Sequence, residues 1–194
     1  MTVSAPKIRN AAVTRANILG AARDCFGKQA YEQVGLRDIG AEAGVDAALV
    51  CRYFGSKEEL FGEVLASTSN KPMDWLSGER ASFGARMARA LLSPDDDKTE
   101  QSLVFINLAI RSAASPIAHE LVRNHVESCF IRPFAAWLGG EDGHEKARLV
   151  ACVLLGARIV HGVLFTSEPQ CPETQAAICK LATVLQAIID DPAA

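Results

Sequence analysis

Alternating strand patterns are almost absent from this 194-residue sequence. Nearly every segment between Gly, Pro, Asp and Ser breaks has helical length and helical period, so the expected class is all-α. Metal-binding cysteine pairs are absent too. Cys25, Cys51, Cys129, Cys152, Cys171 and Cys179 form no Cys-x-x-Cys and share no zinc-ligand spacing with histidine. Several lie in apolar runs, where a free thiol behaves as a small hydrophobe. There is no membrane span: the longest apolar run, 149–157, stops at Arg158. The polar stretch 1–10 lacks the apolar segment of a signal peptide. Together these absences lead to the expectation of a reduced, soluble, cytoplasmic protein.

Catalytic signatures are missing as well. No Gly-rich phosphate loop, no His-Glu-x-x-His and no Ser/His/Asp order occurs. His119, His125, His144 and His161 fall on different predicted helices. Neither an enzyme nor a metal or cofactor site is therefore expected, and an all-helical Cys or His enzyme is the remote alternative. No internal repeat is found. What is present is an ordinary globular balance, 49% hydrophobic and 22% charged. The chain is long enough to bury a core without staples. The net charge of −3 is unevenly spread. Residues 1–57 carry 8 Lys and Arg against 5 Asp and Glu; residues 58–194 carry 12 against 18. A mildly basic head on an acidic body suits a small nucleic-acid surface attached to a larger non-contacting domain.

Nine helices are predicted, after a loose arm over the first ten residues. The first, 13–28, carries Ile18, Ala22, Cys25 and Phe26 on one face. The second, 36–43, presents Leu36, Ile39 and Ala43, and Gly44 stands where a left-handed C-cap is wanted. The third follows the N-cap Asp46 and runs to about 53. Ser56-Lys57-Glu58-Glu59 forms a capping box that opens the fourth, with Leu60, Phe61, Val64 and Leu65 as its stripe. Longer helices follow at 79–92 and 99–114, then from Ser115-Pro116 to about 138 with a kink expected at Pro133. Asp142-Gly143-His144-Glu145 resembles another capping box and opens a helix to about 166. Pro172 opens the last, to about 190. From 147 to 165 the eighth helix is apolar almost all round, broken only by Arg148, Arg158 and His161. A small bundle rarely surrounds one helix completely, so burial against a second copy of the chain is expected, through helices eight and nine.

Two short helices joined by Ala43-Gly44-Val45-Asp46 read as a helix-turn-helix, with the first helix completing a small core through Ile18, Ala22 and Phe26. Such a core would hold the third helix rigidly and leave its outward side chains free for a DNA major groove. Four blocks carry a wider likeness. They are Arg15-x-x-Ile18-Leu19-x-Ala21-Ala22-x-x-x-Phe26, Leu36-Arg37-Asp38-Ile39, Ala43-Gly44-Val45-Asp46, and Tyr53-Phe54-Gly55-Ser56-Lys57-Glu58-Glu59-Leu60-Phe61. In this order and spacing, over residues 13–65, the chain resembles the N-terminal domain of the TetR family of bacterial transcription regulators. The remainder matches that family only in helix count and length.

The resemblance implies a helix-turn-helix DNA-binding domain over 1–67 and an effector-binding and dimerisation domain over 68–194. It implies a homodimeric regulator, a repressor by expectation, bound to a double-stranded operator and released by an unknown small molecule. Lys57 stands at the family's phosphate-contacting lysine, at a helix start where phosphate is attracted. Tyr53 replaces a histidine that reaches the DNA backbone, and Arg37 is a second backbone clamp. Asp46, Ala47, Ala48 and Arg52 are the outward groove candidates. Arg52 alone has a donor fork suited to guanine, while the alanines can approach a thymine methyl. Two departures remove contacts: Gly35 replaces a hydroxyl-bearing cap, and Cys51 replaces a tyrosine.

The resemblance also implies an effector cavity in the second domain. Its apolar candidates are Met87, Leu91, Phe105, Leu108, Phe130, Phe134 and Phe165, and its polar candidates Asn107, Arg111, His125, Arg158 and His161. A buried Arg158 needs an anionic partner, either an internal carboxylate or the effector. Constitutive binding without an effector, or a thiol-responsive regulator, are the alternatives within the same fold.

Overall fold

The computed structural model describes residues 5–68, 76–92, 105, 108–112, 114–161 and 171–191, with side chains from 11 onward. No strand occurs among them. No helix among the described residues is long and apolar enough to cross a membrane. Two compact units divide the chain. One combines Met1–Thr68 with Asn107–Arg123; the other combines Ser69–Ile106 with Asn124–Ala194.

In the first unit, α1 spans Ala5–Lys28. The loose arm expected over the first ten residues is thus corrected: the helix already begins at Ala5. Pro6 in the first turn lacks only an N–H that would be unpaired there, and Ala5, Ala11 and Ala12 are strong helix formers. A 3-10 turn, Tyr31–Gln33, leads to α2 (Leu36–Ala43), α3 (Ala47–Phe54) and α4 (Lys57–Thr68). Ile18, Ala22, Phe26, Ile39, Val50, Leu60, Phe61 and Val64 are all buried. Phe26, Tyr31 and Phe61 form an aromatic centre, with Phe61 edge-on to Phe26 at 4.9 Å and to Tyr31 at 5.1 Å. The reciprocal box of α4 is present: Glu59 N–H donates to Ser56 Oγ at 3.1 Å, and Ser56 N–H to Glu59 Oε2 at 2.7 Å. Ser115 caps α6 (Pro116–Val126) by accepting from Ala118 N–H.

In the second unit, α5 (Phe83–Leu92) follows a 3-10 turn at Arg80–Ser82. The tail of α6 passes into a π-helical turn, Glu127–Ile131, and then α7 (Arg132–Leu138). The turn stands just before Pro133, which has no N–H to give to the Cys129 carbonyl; widening the ladder accommodates its ring. Next come α8 (Gly143–Ile159) and α9 (Pro172–Asp190). Phe83, Phe134, Leu138, Val150, Leu154, Leu185 and Ile189 make the core. Phe134 stacks on Phe83 at 5.0 Å and on Trp137 at 5.6 Å. At Gly84 a Cβ would lie 2.2 Å from the Ala182 carbonyl, so only glycine lets α5 and α9 approach this closely. Arg80 donates to the carbonyls of Leu138 at 3.0 Å and Ile189 at 2.6 Å, satisfying the open ends of α7 and α9.

The capping box expected at Asp142 is not formed. Asp142 has helical rather than extended backbone angles (φ −91°, ψ 0°) and its side chain accepts no cap bond. Its carboxylate instead pairs with Lys146 Nζ at 2.6 Å. Of the helix expected over 99–114, residues 105 and 108–112 are described and helical. The end expected near 166 lies outside the described residues.

Candidate nucleic-acid interface

The α2–α3 turn is built by two glycines doing different jobs. Gly44 adopts φ 70°, and its N–H bonds back to the carbonyls of Gly40 and Ala41. Val45 N–H donates to the Gly40 carbonyl at 2.8 Å, closing the helix end. At Gly40 a Cβ would sit 2.8 Å from the Val45 carbonyl, so the chain can double back only over a residue without one. Asp46 then caps α3, its Oδ1 accepting from Leu49 N–H at 2.6 Å. Its carboxylate is occupied by the cap, although the residue is exposed.

The period of α3 sorts its residues into two faces. Val50 and Phe54 point into the core. Ala48, Cys51 and Arg52 are exposed; Ala47 and Tyr53 are half-buried. Arg37 on α2 is exposed as well. Arg37, Arg52 and Tyr53 make no hydrogen bond or ion pair among the described residues. Gly35 caps α2 through its backbone alone, its N–H donating to Asp38 Oδ2 at 2.8 Å. Arg15 secures the scaffold behind this surface. Its guanidinium lies 4.6 Å from the centre of the Phe54 ring and pairs with Glu63 of α4.

Lys57 opens α4, and its Nζ lies 4.1 Å from the centre of the Tyr31 ring. The Tyr31 hydroxyl donates to Glu58 Oε1 at 3.1 Å. Burial, then the Glu58 charge and hydrogen bond, push the Tyr31 phenol far up, so it stays protonated. Glu58 is held below the ordinary carboxylate range, chiefly by its backbone hydrogen bond. Sequence reasoning did not single out Tyr31 as a site residue. A tyrosine three residues past a helix end carries no signal of a lysine 26 positions on.

The expected effector residues are distributed between the two units. Phe105 and His125 face each other at 5.9 Å, and burial pulls the His125 imidazole below its ordinary range. Phe130 packs on Phe134 at 5.7 Å; Met87 and Leu91 border the same core. Arg158 is 5% exposed, donates through Nη1 to the Leu91 carbonyl at 2.9 Å, and is pushed below the usual arginine range by desolvation. His161 is half-buried at the end of the described part of that helix. Arg111 and Leu108 belong to the first unit, apart from the rest: Arg111 is exposed and Leu108 buried. Asn107 and Phe165 lie outside the described residues. All six cysteines are free. Among the described residues no group of three or more His, Cys, Asp or Glu could hold a metal ion.

Comparison with known proteins adds to this geometry. Residues 18–64 match the model of the bacterial regulatory proteins, tetR family, and residues 81–189 match that of the tetracyclin repressor-like C-terminal domain. An HTH-type transcriptional repressor of Mycobacterium tuberculosis and an HTH-type transcriptional regulator of Mycobacterium bovis are each 36% identical over 86 residues. That stretch is 40% of this chain and 46% of each relative, so the chain spans less than half the length of the curated proteins it matches. The solved structure of a TetR-family regulator from Streptomyces coelicolor is 28% identical, with 92% of this chain and 95% of that one covered at a TM-score of 0.58. NalD, the secondary repressor of the MexAB-OprM multidrug efflux pump in Pseudomonas aeruginosa, shares the fold at 18% identity, with 89% and 95% covered and a TM-score of 0.68.

Proposed function

Because the chain belongs to the tetR family of bacterial regulatory proteins, we propose that it is a homodimeric, sequence-specific DNA-binding repressor of the cytoplasm, released from its operator by a small molecule. The observation that carries this reading is the outward face of α3 and α2. Arg52 and Arg37 are exposed and bound to nothing among the described residues, on helices whose inner faces and caps are fully engaged. Rigid helices presenting unpaired cations suit a polyanion.

In this mechanism the region 1–67 is the DNA-binding domain. Two copies of α3 enter successive major grooves about one DNA turn apart. Arg52 reads guanine, and Ala47 and Ala48 allow close approach. Arg37, Tyr53 and Lys57 contact phosphate, the lysine standing at a helix start whose dipole favours an anion. Asp46 serves α3 as its cap and lies at the groove edge.

The region 68–194 supplies the dimer and the effector site. Leu149, Leu155 and Val160 are 51%, 39% and 40% exposed along α8 and its end, and Val184 on α9 is 48% exposed. Large apolar side chains this exposed at helical spacing mark a face that another apolar face covers. The effector site is proposed around Phe105, His125, Met87, Phe130, Phe134, Arg158 and His161, with the buried guanidinium favouring an anionic or strongly accepting ligand. Effector and DNA affinities are then reciprocally coupled through two states of the dimer.

The test is selection of bound fragments from sheared host genomic DNA by the purified protein, repeated over a salt series. Recovery of a few palindromic fragments is the expected result. Recovery of nothing above background at low salt would sink the reading.

A further inference from the structure

We infer that Tyr31 is the positioning residue for the phosphate contact of Lys57, an inference that rests on the DNA-binding reading above. Lys57 forms no salt bridge among the described residues; what meets its ammonium is the Tyr31 ring, 4.1 Å from Nζ to the centroid. The distinction is chemical. A carboxylate would hold the lysine by cancelling its charge and occupying its N–H donors. An aromatic face attracts the ammonium through its quadrupole, keeps the charge whole and leaves donors for a phosphate oxygen. It also restrains a side chain that otherwise loses much rotamer freedom on binding.

The ring is itself held from several sides. It stacks on Phe26 at 5.7 Å and 12°, and meets Phe61 edge-on at 5.1 Å. Its hydroxyl is anchored to Glu58, the residue after Lys57, so ring and lysine share the first turn of α4. The 3-10 turn that carries Tyr31 is fixed by its other residues as well: Glu32 accepts from the buried Ser115 Oγ at 2.5 Å, and Gln33 Oε1 accepts from Ala30 N–H at 3.3 Å. Ser115 also caps α6, so the platform under Lys57 is tied into that helix start.

The experiment uses the full chain and a mixed-sequence DNA duplex as probe, with binding followed over a salt series. Tyr31→Leu and Tyr31→Phe are compared in the parent and in a Lys57→Ala background. Tyr31→Leu should weaken duplex binding about 3- to 10-fold in the parent and have no further effect once Lys57 is alanine. Tyr31→Phe, which keeps the ring, should stay within about twofold of the parent. The Lys57 Hε protons should show an upfield ring-current shift that Tyr31→Leu removes and Tyr31→Phe retains. Thermal midpoints of all variants, without DNA, separate this from loss of folding, and the NMR comparison between parent and Tyr31→Phe stands even if Tyr31→Leu unfolds. A Tyr31→Leu loss that persists in the Lys57→Ala background, or Lys57 Hε protons at ordinary positions in the parent, would overturn the inference. A parent that binds no duplex at low salt, yet shows the ring-current shift, would overturn the DNA-binding reading and leave the ring contact as structural only.

Discussion

In the first unit, α3 turns Val50 and Phe54 inward and shows solvent Ala48, Cys51 and Arg52. In the second, α8 buries Ala147, Val150 and Leu154 and shows solvent Leu149, Cys152 and Leu155. Both helices have a buried face and an exposed one, but the exposed faces differ in kind. The first carries small residues and a cation; the second carries large apolar side chains beside the exposed Arg148. The first unit buries the apolar stripe of α3 against its own helices and caps α3 through Asp46, while Val13, Ile110 and Ile117 stay exposed elsewhere in it. In the second, Leu149, Leu155 and Val160 are exposed along α8 and its end, and Val184 on α9. The same principle, that each helix must satisfy both faces, underlies the proposal that α3 meets a polyanion and α8 a second copy.

Four measurements would break or sharpen this contrast. The largest effect is expected from Phe134→Ala, which removes a ring stacked on both Phe83 and Trp137. It should cost about 3–5 kcal/mol of stability, read by urea unfolding. A loss below about 1 kcal/mol would mean that the helices collapse around the gap and that this core is softer than it looks. Next comes the apolar face. Leu149→Glu combined with Leu155→Glu should place unpaired charge in the dimer contact, at about 3 kcal/mol or more, and so weaken dimerisation at least about 100-fold. Sedimentation that leaves the dimer intact would erase the proposed difference between the units.

The cationic face should respond more modestly. Arg52→Ala is expected to cost about 1–3 kcal/mol on the selected operator and relax base preference. Lys57→Ala should weaken all sequences alike and lower the salt slope by about one. If both bind operator like the parent, α3 is not the reading helix. The smallest effect concerns alkaline pH. The Tyr31 phenol is raised in the folded chain, so the folded state holds this proton more tightly than the unfolded one. Its contribution is full below the ordinary tyrosine value near 10 and is lost as pH rises beyond it. Folding stability of Tyr31→Phe should therefore fall less steeply than that of the parent above about pH 10. Parallel slopes would show that neither burial nor the Glu58 contact discriminates protonation states at Tyr31.

Much of the first unit was readable in one dimension because its determinants are local. Leu36–Ala43 and Ala47–Phe54 follow from apolar spacing, a left-handed Gly44 and the Asp46 cap. The Ser56–Glu59 box works within four residues, and it forms as expected. Asp142 shows the limit of the same reasoning. It has the right letters for a cap, but its backbone is helical there and Lys146 takes its carboxylate. The candidate site divides in the same way. The outward position of Arg52 follows from helical period. The pairing of Lys57 with Tyr31 links residues that no local rule connects.

The helical class, the α2–α3 turn chemistry and the sidedness of α3 were already written in the order of residues, because each depends on hydrogen bonds and side-chain spacings within a few positions. Other features were decided only once the chain had folded. Asn107–Arg123 joins the N-terminal unit, with Ser115 bonded to Glu32 across 83 positions. Arg80 closes two helix ends at once, and Tyr31 meets Lys57. These are pairings of groups that must each find a partner when water is removed, and which partner lies within reach is a property of three-dimensional packing rather than of neighbours along the chain.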